Sequence, residues 1–387
     1  MNALPPSALK LKKLCIVATI PAIVNSFLRG HIEAAAQKYE VTVVCNSTDL
    51  YLIQGLNARV VLLPISRRPS LSGDLLALFL LTKLFWREQF DIVHSHFPKS
   101  GLLGMSAAWA VRVPVRVHTF HGEVWATRKG WRRWILKALD RAVGWMATHV
   151  LSVSASQQQF LVREGVLFQG QSKVIGAGSI CGVDSVRFCP DAEVRCITRN
   201  QLGIDQNSIL ILFMGRLNRD KGVLDLALAF SAISSRRPDV ELLLVGTEED
   251  IGFQQLQEIC NACRHRIHYQ NFTSTPEKYM AAADLFCLPS YREGFGMTLI
   301  EAASCGVPAV ASRISGIVDA VEEGKTGLLF ACANVSELTQ ALSKLLSDES
   351  LRHRMGALAR SRAQALYAPD KITSGVLACY ETSSEKH

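Results

Sequence analysis

The sequence lacks several features that would assign it to common classes of protein. It has no run of about 20 apolar residues, the length that a membrane-spanning helix needs. The longest candidate, Leu75 to Trp86, is interrupted by Thr82 and Lys83. It has no internal repeat and no low-complexity stretch, which argues against a solenoid or a disordered chain. It also has no D-x-D motif, so nothing suggests a divalent metal held at a diphosphate.

The cysteines form no disulfide framework. There are 11 of them, an odd number scattered along the chain, which is typical of a reducing cytosol. Cys260 and Cys263 form one CxxC, with His265 and His268 close by. A second cysteine pair is missing, and the motif falls in a predicted amphipathic helix, 251–264. The sequence therefore favours thiols on a helix face over a zinc site.

The N-terminal segment resembles a signal peptide, because Lys10, Lys12 and Lys13 precede the apolar run 14–24. Pro21 breaks that run, and no small-x-small cleavage motif is followed by a chain of secreted type. We therefore expect a buried first strand here and no leader peptide.

Length and charge suggest two unlike halves. A chain of 387 residues suits two domains, and 49% apolar with 20% charged residues is typical of a globular protein. Through Arg187 there are 22 Lys and Arg against 10 Asp and Glu, whereas the remainder has 20 against 24. The basic first half predicts an anionic partner on that half.

Short apolar runs rich in Val, Ile and Leu alternate with longer helical segments. They lie at 14–18, 41–45, 59–63, 91–95, 115–120 and 149–154, and then at 209–215, 240–246, 285–290, 308–312 and 327–330. Such a pattern indicates parallel sheets covered on both faces. The sequence predicts an α/β fold with two Rossmann-like, doubly wound domains, joined by a polar, irregular linker at 180–207. A ligand site is expected in the cleft between them.

Two carboxylates flank a Gly-Phe-Gly turn in "REGFGMTLIEA". Glu293 follows a predicted strand, and Glu301 lies about one turn inside a helix predicted over 297–305. The free N–H groups of that helix would form an anion site suited to a phosphate. A carboxylate normally repels a phosphate, so two acids at this site are reasonable if they hydrogen-bond to hydroxyl groups of the same ligand. The alternative is two solvated acids near a helix start.

Two cations follow another strand, in "FMGRLNRDKG". The strand ends at Gly215, Arg216 follows it, and Lys221 opens the next helix. Arg can bind a phosphate with two hydrogen bonds, and Lys can act as a point charge. The alternative is a solvated loop in which Asp220 pairs with one of the cations.

Histidines follow strands of the first half. His121 lies just after one strand, at the cleft edge, where a neutral imidazole can hydrogen-bond to a substrate hydroxyl. His118 is predicted to be a core residue. His94 and His96 are predicted to be structural or loop polar groups.

The segment 127–145 is predicted to be a helix with an aromatic and a basic face. Its apolar arc includes Trp131 and Trp134, and its basic ladder includes Arg133 and Lys137. These features indicate an element that lies on an anionic membrane surface. The alternative is a domain helix that packs its tryptophans inward.

Several of these motifs together resemble a known family. "GRLNRDKGV", "REGFGMTLIEA", "GVPAVAS" and "GKTGLLF" resemble, in order and spacing, the retaining glycosyltransferases of family 4. "HTFHG" and "DIVHSH" are similar to that family's acceptor domain, and "GAGSICGVD" to the linker of its surface-polysaccharide members. The resemblance implies the GT-B fold, with an acceptor domain at 1–187 and a donor domain at 188–369. A C-terminal helix at about 370–387 would pack back on the first domain.

The same resemblance implies roles for the site residues. Glu301 would hold the donor ribose and Glu293 the donor sugar, while Arg216 and Lys221 would neutralise the diphosphate in place of a metal. His121 would approach the donor sugar from the other domain. The remaining donor-binding residues would be Gly215, Phe295, Gly296, Met297 and Thr298. The family's Gly-Gly turn after the first strand is replaced here by "TIPAIVNSFLRGH", which puts that phosphate contact in doubt.

The predicted function is therefore metal-independent, retaining transfer of a sugar from a nucleotide sugar in cell-surface polysaccharide synthesis. We expect a UDP-sugar donor, with a HexNAc among the candidate sugars, and a polyprenyl-diphosphate-linked or glycan acceptor. No cofactor and no nucleic acid is expected. The enzyme would act on the cytoplasmic face of the plasma membrane. The alternatives are a UDP-sugar 2-epimerase of the same fold and a non-catalytic nucleotide-sugar-binding or scaffold protein.

Overall fold

The structure is a computed structural model that describes residues 11–46, 55–66 and 69–384, with side chains to 381. Within the described residues, the first half forms a seven-stranded parallel sheet of order β3-β2-β1-β4-β5-β6-β7. Its strands are β1 (Lys12–Val17), β2 (Tyr39–Cys45), β3 (Arg59–Leu62), β4 (Ile92–His96), β5 (Val115–Phe120), β6 (His149–Ser152) and β7 (Ser172–Val174).

The second half forms a six-stranded parallel sheet of order β10-β9-β8-β11-β12-β13 within the same described ranges. Its strands are β8 (Ile209–Met214), β9 (Val240–Val245), β10 (Ile267–Gln270), β11 (Leu285–Leu288), β12 (Ala309–Ser312) and β13 (Gly327–Phe330). Every residue of β9 and β11 is buried, as expected for strands that helices cover on both faces.

Helices connect the strands and cover both sheets. Those before the second sheet are α1 (Pro21–Ile23), α2 (Arg29–Ala35), α3 (Leu71–Glu88), α4 (Pro98–Ala110), α5 (Gly130–Met146) and α6 (Ala155–Arg163). Those of the second half are α7 (Ala192–Leu202), α8 (Val223–Ser234), α9 (Phe253–Ile259), α10 (Pro276–Ala282), α11 (Met297–Ser304), α12 (Ile317–Ala320), α13 (Val335–Ser347), α14 (Glu349–Leu366) and α15 (Pro369–Ser384). A π-helical turn, Val24–Leu28, joins α1 to α2, and 3₁₀ turns occupy Arg219–Lys221 and Asn261–Arg266.

Three local predictions need correction. The linker expected to be irregular over 180–207 contains α7, which Asp191 caps and whose fully buried Arg199 pairs with Asp284 at 2.6 Å. The helix expected over 251–264 is a short α-helix followed by a 3₁₀ turn. The strand β10 was not predicted, because its sequence "IHYQ" has only one strongly apolar aliphatic residue.

The last helix, α15, packs against the first domain. Tyr380 donates to or accepts from His94 Nδ1 at 2.6 Å, and Val376 and Cys379 join the same apolar core as Leu14 and Ile32. The chain therefore crosses between the domains twice, once before α7 and once before α15.

The N-terminal apolar run begins as β1, whose residues Leu14 to Val17 are buried. This agrees with the expected buried strand, although Lys10 lies outside the described residues. Among the described residues, no helix combines the length and the apolar character needed to cross a membrane.

Candidate functional site

The two domains meet where the carboxyl ends of their strands face each other. In each sheet the strand order reverses at one point, between β1 and β4 and between β8 and β11, and ligands of such sheets bind at these points. One close approach joins Gly122, after β5, to Gly294, after β11. A Cβ atom on Gly294 would lie 2.2 Å from the carbonyl oxygen of His121, so only glycine fits there.

Lys221 and Glu293 form an ion pair in this cleft. Lys221 Nζ lies 2.5 Å from Glu293 Oε1, which also accepts from Ser290 Oγ at 2.8 Å. Asn218 caps the 3₁₀ turn that carries Lys221, and β11 ends shortly before Glu293. Both side chains are mostly shielded from water, so their mutual attraction is stronger than that of an exposed pair.

Arg216 follows β8 and Gly215, as predicted. Its guanidinium pairs with Glu249, which also accepts from Asn218 Nδ2 at 2.6 Å. Asp220, considered as a partner for either cation, instead pairs with Arg292 at 2.8 Å. Each predicted cation therefore forms an ion pair with a carboxylate at the cleft edge of the second domain.

Glu301 lies in the second turn of α11, beside the segment that links the two domains. Burial raises the pKa of Glu301 to about 7, and the nearby Arg187 guanidinium opposes this shift. Near neutral pH the carboxyl group is therefore partly protonated, and it can both donate to and accept from hydroxyl groups.

The turn before α11 brings backbone N–H groups into the cleft. Gly296 precedes the helix, Met297 and Thr298 begin it, and no side chain caps it. The Met297 N–H donates to the Phe295 carbonyl at 2.8 Å and the Leu299 N–H to that of Gly296 at 2.9 Å, so it is mainly the helix dipole that favours an anion at this end. Phe295 was predicted to bind the donor, but its side chain is buried and lies edge-on to Tyr367 at 5.5 Å, so it packs at the domain crossing.

His121 lies at the facing edge of the first domain. Its Nε2 hydrogen-bonds to Nδ1 of His96 at 2.9 Å, and Phe97 stacks on its ring at 4.2 Å. Burial lowers the pKa of His121 to about 3, so the imidazole is neutral at pH 7. Among the described residues its Nδ1 is buried and has no hydrogen-bond partner.

His118 and His94 are structural residues, as predicted. His118 bonds to Ser95 Oγ at 2.9 Å, and His94 bonds to Thr119 Oγ1 at 2.7 Å as well as to Tyr380. His96 hydrogen-bonds to His121, so it orients a residue of the cleft and is not a loop residue. Parallel pairing of β4 and β5 brings these side chains together, which spacing in the sequence did not reveal.

Two buried carboxyl groups near the cleft were not predicted. Glu123 is 2% exposed and accepts from Gln157 Nε2 at 2.8 Å. Burial raises its pKa to about 8, with a further contribution from the charge of Asp140. Asp140, within α5, accepts from Trp125 Nε1 at 2.7 Å, and burial raises its pKa to about 6. In the sequence, the position of Glu123 directly after His121 and Gly122 is the feature that could have predicted a carboxyl group near the cleft.

Helix α5 has the expected faces, but its cations are differently placed. Trp131 and Trp134 are 68% and 70% exposed, which contradicts inward packing. Arg133 and Lys137, predicted to face a membrane, each lie 2.9 Å from Glu164. Both also lie over the ring of Trp125. Their charges are therefore engaged within the domain.

The exposed tryptophans of α5 belong to a wider surface that was not predicted. Helices α3, α4 and α5 pack side by side on one face of the first sheet, and Trp109 of α4 contacts Trp145 of α5 with ring centres 5.5 Å apart. We call this surface the tryptophan face. Its exposed apolar residues are Leu71, Leu75, Leu76, Phe79, Trp86, Trp109, Trp131, Trp134, Ile135, Leu139 and Trp145.

The CxxC thiols are buried, and Cys260 Sγ donates to the carbonyl of Ala227 at 3.4 Å. Cys260 ends α9 and Cys263 lies in the following 3₁₀ turn. In the part of the chain that the structure describes, no group of three or more His, Cys, Asp or Glu side chains could hold a metal ion.

Two family models match the two halves of the chain. Residues 195–362 match "Glycosyl transferases group 1", and residues 32–176 match "Glycosyl transferase 4-like domain". A D-inositol 3-phosphate glycosyltransferase of Corynebacterium jeikeium is 31% identical over 308 residues, covering 72% of this chain and 70% of the relative. The chain belongs to the group 1 glycosyl transferases.

Other relatives of this glycosyltransferase extend over more of its length. The capsular polysaccharide biosynthesis glycosyltransferase CapM of Staphylococcus aureus is 27% identical and covers 92% of this chain and 93% of the relative. A UDP-Gal:alpha-D-GlcNAc-diphosphoundecaprenol alpha-1,3-galactosyltransferase of Escherichia coli is 27% identical, with coverage of 81% and 82%. These matches favour the transferase over both the epimerase and the scaffold alternatives.

Solved structures confirm the predicted GT-B fold of the glycosyltransferase. Sucrose-phosphate synthase of Thermosynechococcus elongatus superposes with a TM-score of 0.82 at 21% identity, covering 97% of this chain and 100% of that one. Anabaena HepE in complex with UDP-glucose gives a TM-score of 0.78 at 20% identity, with coverage of 96% and 99%.

Proposed function

We propose that this glycosyltransferase moves a sugar, with retention of configuration, from a UDP-sugar to a lipid-linked acceptor in cell-surface polysaccharide synthesis. One observation carries the proposal: two cations, a helix N-terminus and two carboxyl groups converge on one edge of the second sheet, opposite His121. The relative from E. coli, whose name contains both UDP-Gal and a diphosphoundecaprenol acceptor, supports this choice of substrates.

The donor diphosphate would bind to Arg216, Lys221 and the N-terminus of α11. In the structure the two cations lie on Glu249 and Glu293, and a diphosphate would compete with these carboxylates for them. Negative charge grows on the leaving phosphate as the glycosidic bond breaks. Cations fixed at that position therefore stabilise the transition state more than the ground state.

The two carboxyl groups would hold hydroxyl groups of the donor. Glu301 would accept from the ribose, and Glu293, released by Lys221, would face the sugar. His121 would bond to the sugar from the first domain through its unpartnered Nδ1, since burial keeps the ring neutral. The acceptor would attack the face from which the diphosphate leaves, and that phosphate would help to deprotonate it.

The tryptophan face would rest on an anionic membrane. Leu75, Phe79 and Trp86 form one stripe of α3, because four and eleven positions bring side chains to the same side of a helix. The acids of α3 and α5 are engaged within the domain: Asp74 with Lys99 at 2.6 Å, Glu88 with Lys13 and Arg59, and Asp140 with Trp125.

Exposed cations border this face and would complement anionic lipid head groups. They are Lys83, Arg87, Lys129 and Arg132. Tryptophan prefers the interface between lipid and water, and each nearby cation adds about 1 kcal/mol of attraction to an anionic surface. The proposed location is the cytoplasmic face of the plasma membrane, where a polyprenyl-linked acceptor would reside.

A panel of UDP-sugars, assayed with and without a polyprenyl-diphosphate-linked sugar, tests the proposal. We expect UDP release that requires the acceptor, and a lipid-linked product whose new linkage has the anomeric configuration of the donor by NMR. A new sugar nucleotide formed without acceptor would indicate an epimerase. An inverted linkage would refute the retaining mechanism, and absence of any product with every donor would refute the assigned substrates.

A further inference from the structure

A pocket of about 450 Å³ lies between the domains, beside the proposed reaction centre. Glu293 lines one wall, and Glu123, two residues after His121, lines another. The pocket therefore adjoins the position proposed for the donor sugar, yet Arg216, Lys221 and Glu301 do not line it. Of the residues assigned to the donor, Glu293 alone lines it.

Three guanidinium groups line this pocket, and they come from both domains. Arg163 ends α6 of the first domain, whereas Arg292 follows β11 and Arg313 follows β12 of the second. The domains must lie close together for the three charges to face the same space. An anion bound there would contact both domains and would favour their closure.

The arginines differ in how far their charge is already neutralised. Arg292 pairs with Asp220 at 2.8 Å, and Arg313 pairs with Glu323 at 2.9 Å at an exposed position. Arg292 Nε is buried and has no hydrogen-bond partner among the described residues. Arg163 lies over the ring of Phe160 and, in the described parts of the chain, pairs with no acidic side chain.

The acidic residues of the pocket do not offset these cations. Glu293 is engaged with Lys221 and Ser290. Glu123 has a pKa raised by burial to about 8, so it is mostly uncharged at pH 7. Among the described residues, Arg163 is therefore the lining cation that no carboxylate neutralises, and it faces a cavity large enough for a phosphorylated group.

One wall of the pocket leads towards the tryptophan face. Phe160 and Ala126 line the pocket, and Phe160 stacks on Trp125 with ring centres 5.3 Å apart. Arg133 donates to the carbonyl of Ala126 at 3.1 Å, which fixes the start of α5 against this wall. The exposed Trp131 and Trp134 lie on that same part of α5.

We propose that the arginine pocket binds the diphosphate of the lipid-linked acceptor, with Arg163 as its specificity-determining residue. The acceptor sugar would then point towards Glu293, and its lipid would leave past the start of α5. This inference rests on the proposed function, because it assigns a second substrate to the same reaction. It adds a phosphate site distinct from that of the donor diphosphate.

The test compares two acceptors that carry the same sugar, one on a short-chain alkyl diphosphate and one on a neutral alkyl group. For Arg163→Gln we expect KM for the diphosphate acceptor to rise about tenfold or more, as the loss of a charge-assisted hydrogen bond implies. KM for the neutral acceptor and for the UDP-sugar should stay unchanged. Arg163→Lys should restore part of the affinity for the diphosphate acceptor.

Arg236→Gln is the matched control, because this exposed arginine precedes β9 at the edge of the sheet opposite the cleft. Equal KM values for wild type and Arg163→Gln on the diphosphate acceptor, or equal losses on both acceptors, would overturn the inference. If wild type transfers sugar to no acceptor, the proposed function itself fails. UDP binding by Arg163→Gln, measured by calorimetry, verifies that the variant is folded.

Discussion

The two domains share one fold but present different kinds of side chain to the cleft. The first presents neutral, buried histidines at its sheet edge and an apolar outer surface on α3 to α5. The second presents ion pairs, Arg216 with Glu249 and Lys221 with Glu293, and its exposed large apolar residues are scattered. A fold alone therefore does not determine what a domain binds, because the side chains at the strand ends do so.

The same difference appears in how each domain accommodates polar groups. In the first, burial lowers the pKa of His94, His96, His118 and His121, and hydrogen bonds hold the uncharged rings, apart from the unpartnered Nδ1 of His121. In the second, Arg216, Lys221 and Arg292 pair with carboxylates at the cleft. Paired charges can be exchanged for a charged ligand, whereas a neutral network recognises hydroxyl groups and holds its own geometry.

The largest expected effect comes from removing a cation of the second domain. Lys221→Ala and Arg216→Ala should each lower kcat/KM by about 100-fold or more, because each would lose a charge that stabilises the leaving diphosphate. Steady-state UDP release measures this, with urea unfolding to verify stability. Arg236→Ala is the control and should behave as wild type. Near-normal activity in both cleft variants would refute their assignment to the diphosphate.

Substitutions on the tryptophan face of the first domain should have a smaller effect, which is selective for membrane binding. Replacing Phe79, Trp131 and Trp134 by Ser should reduce binding to anionic vesicles about tenfold or more, because partition falls with each apolar side chain withdrawn from the interface. Sedimentation at low and high salt measures it, and salt should weaken the binding of wild type.

Leu228→Ser with Phe272→Ser is the matched control, since both residues are exposed apolar residues of the second domain. This variant should keep wild-type vesicle binding. Equal binding by wild type and the first-domain variant would exclude the tryptophan face as the membrane contact.

The histidine network predicts that acid destabilises the first domain. Histidines with folded pKa values below 6.5 bind fewer protons than they do in the unfolded chain, so their contribution is present above pH 6.5 and lost as pH falls. Each such histidine would lower the free energy of unfolding by about 1.4 kcal/mol for each pH unit below 6.5. Glu123, with its raised pKa, acts oppositely: its contribution is present at low pH and is lost as pH rises towards 8.

Urea unfolding between pH 5 and 7.5 tests this prediction. His118→Asn should flatten the acid dependence, whereas His353→Asn should not, since His353 is 76% exposed on α14. The same acid dependence in all three proteins would show that the buried histidines do not cause it.

The smallest expected effect is that of chelation. Arg216 and Lys221 are proposed to neutralise the diphosphate in place of a divalent cation, and the sequence has no D-x-D motif. EDTA should leave the rate of transfer unchanged. Loss of activity that magnesium or manganese restores would contradict the metal-independent mechanism.

Sequence patterns predicted most strands to within one or two residues, because a strand buried on both faces is a nearly continuous apolar run. They also located the strand-end residues Arg216, Lys221, His121 and Glu293. They failed where the signal is weaker: β10 has few apolar residues, and α7 has a polar sequence with one buried arginine.

Contacts between distant segments could not be read from the sequence. The bonds of His96 to His121 and of Lys221 to Glu293 join residues 25 and 72 positions apart. The arginine pocket joins two domains, and the ion pairs of Arg133 and Lys137 with Glu164, at the end of α6, join residues that are far apart in the sequence. The tryptophan face was predicted only for α5, since the pattern of one helix does not show which helices pack beside it.

The most direct test of the division between the domains is a ratio of two rates for each variant. It divides kcat/KM on a long-chain polyprenyl-diphosphate acceptor in vesicles by kcat/KM on its short-chain soluble analogue. Lys221→Ala should lower both rates equally and leave the ratio unchanged, whereas the Phe79, Trp131 and Trp134 variant should lower the ratio about tenfold or more. A ratio that falls equally for both, or for neither, would contradict the assignment of donor chemistry to the second domain and of the membrane-bound acceptor to the first.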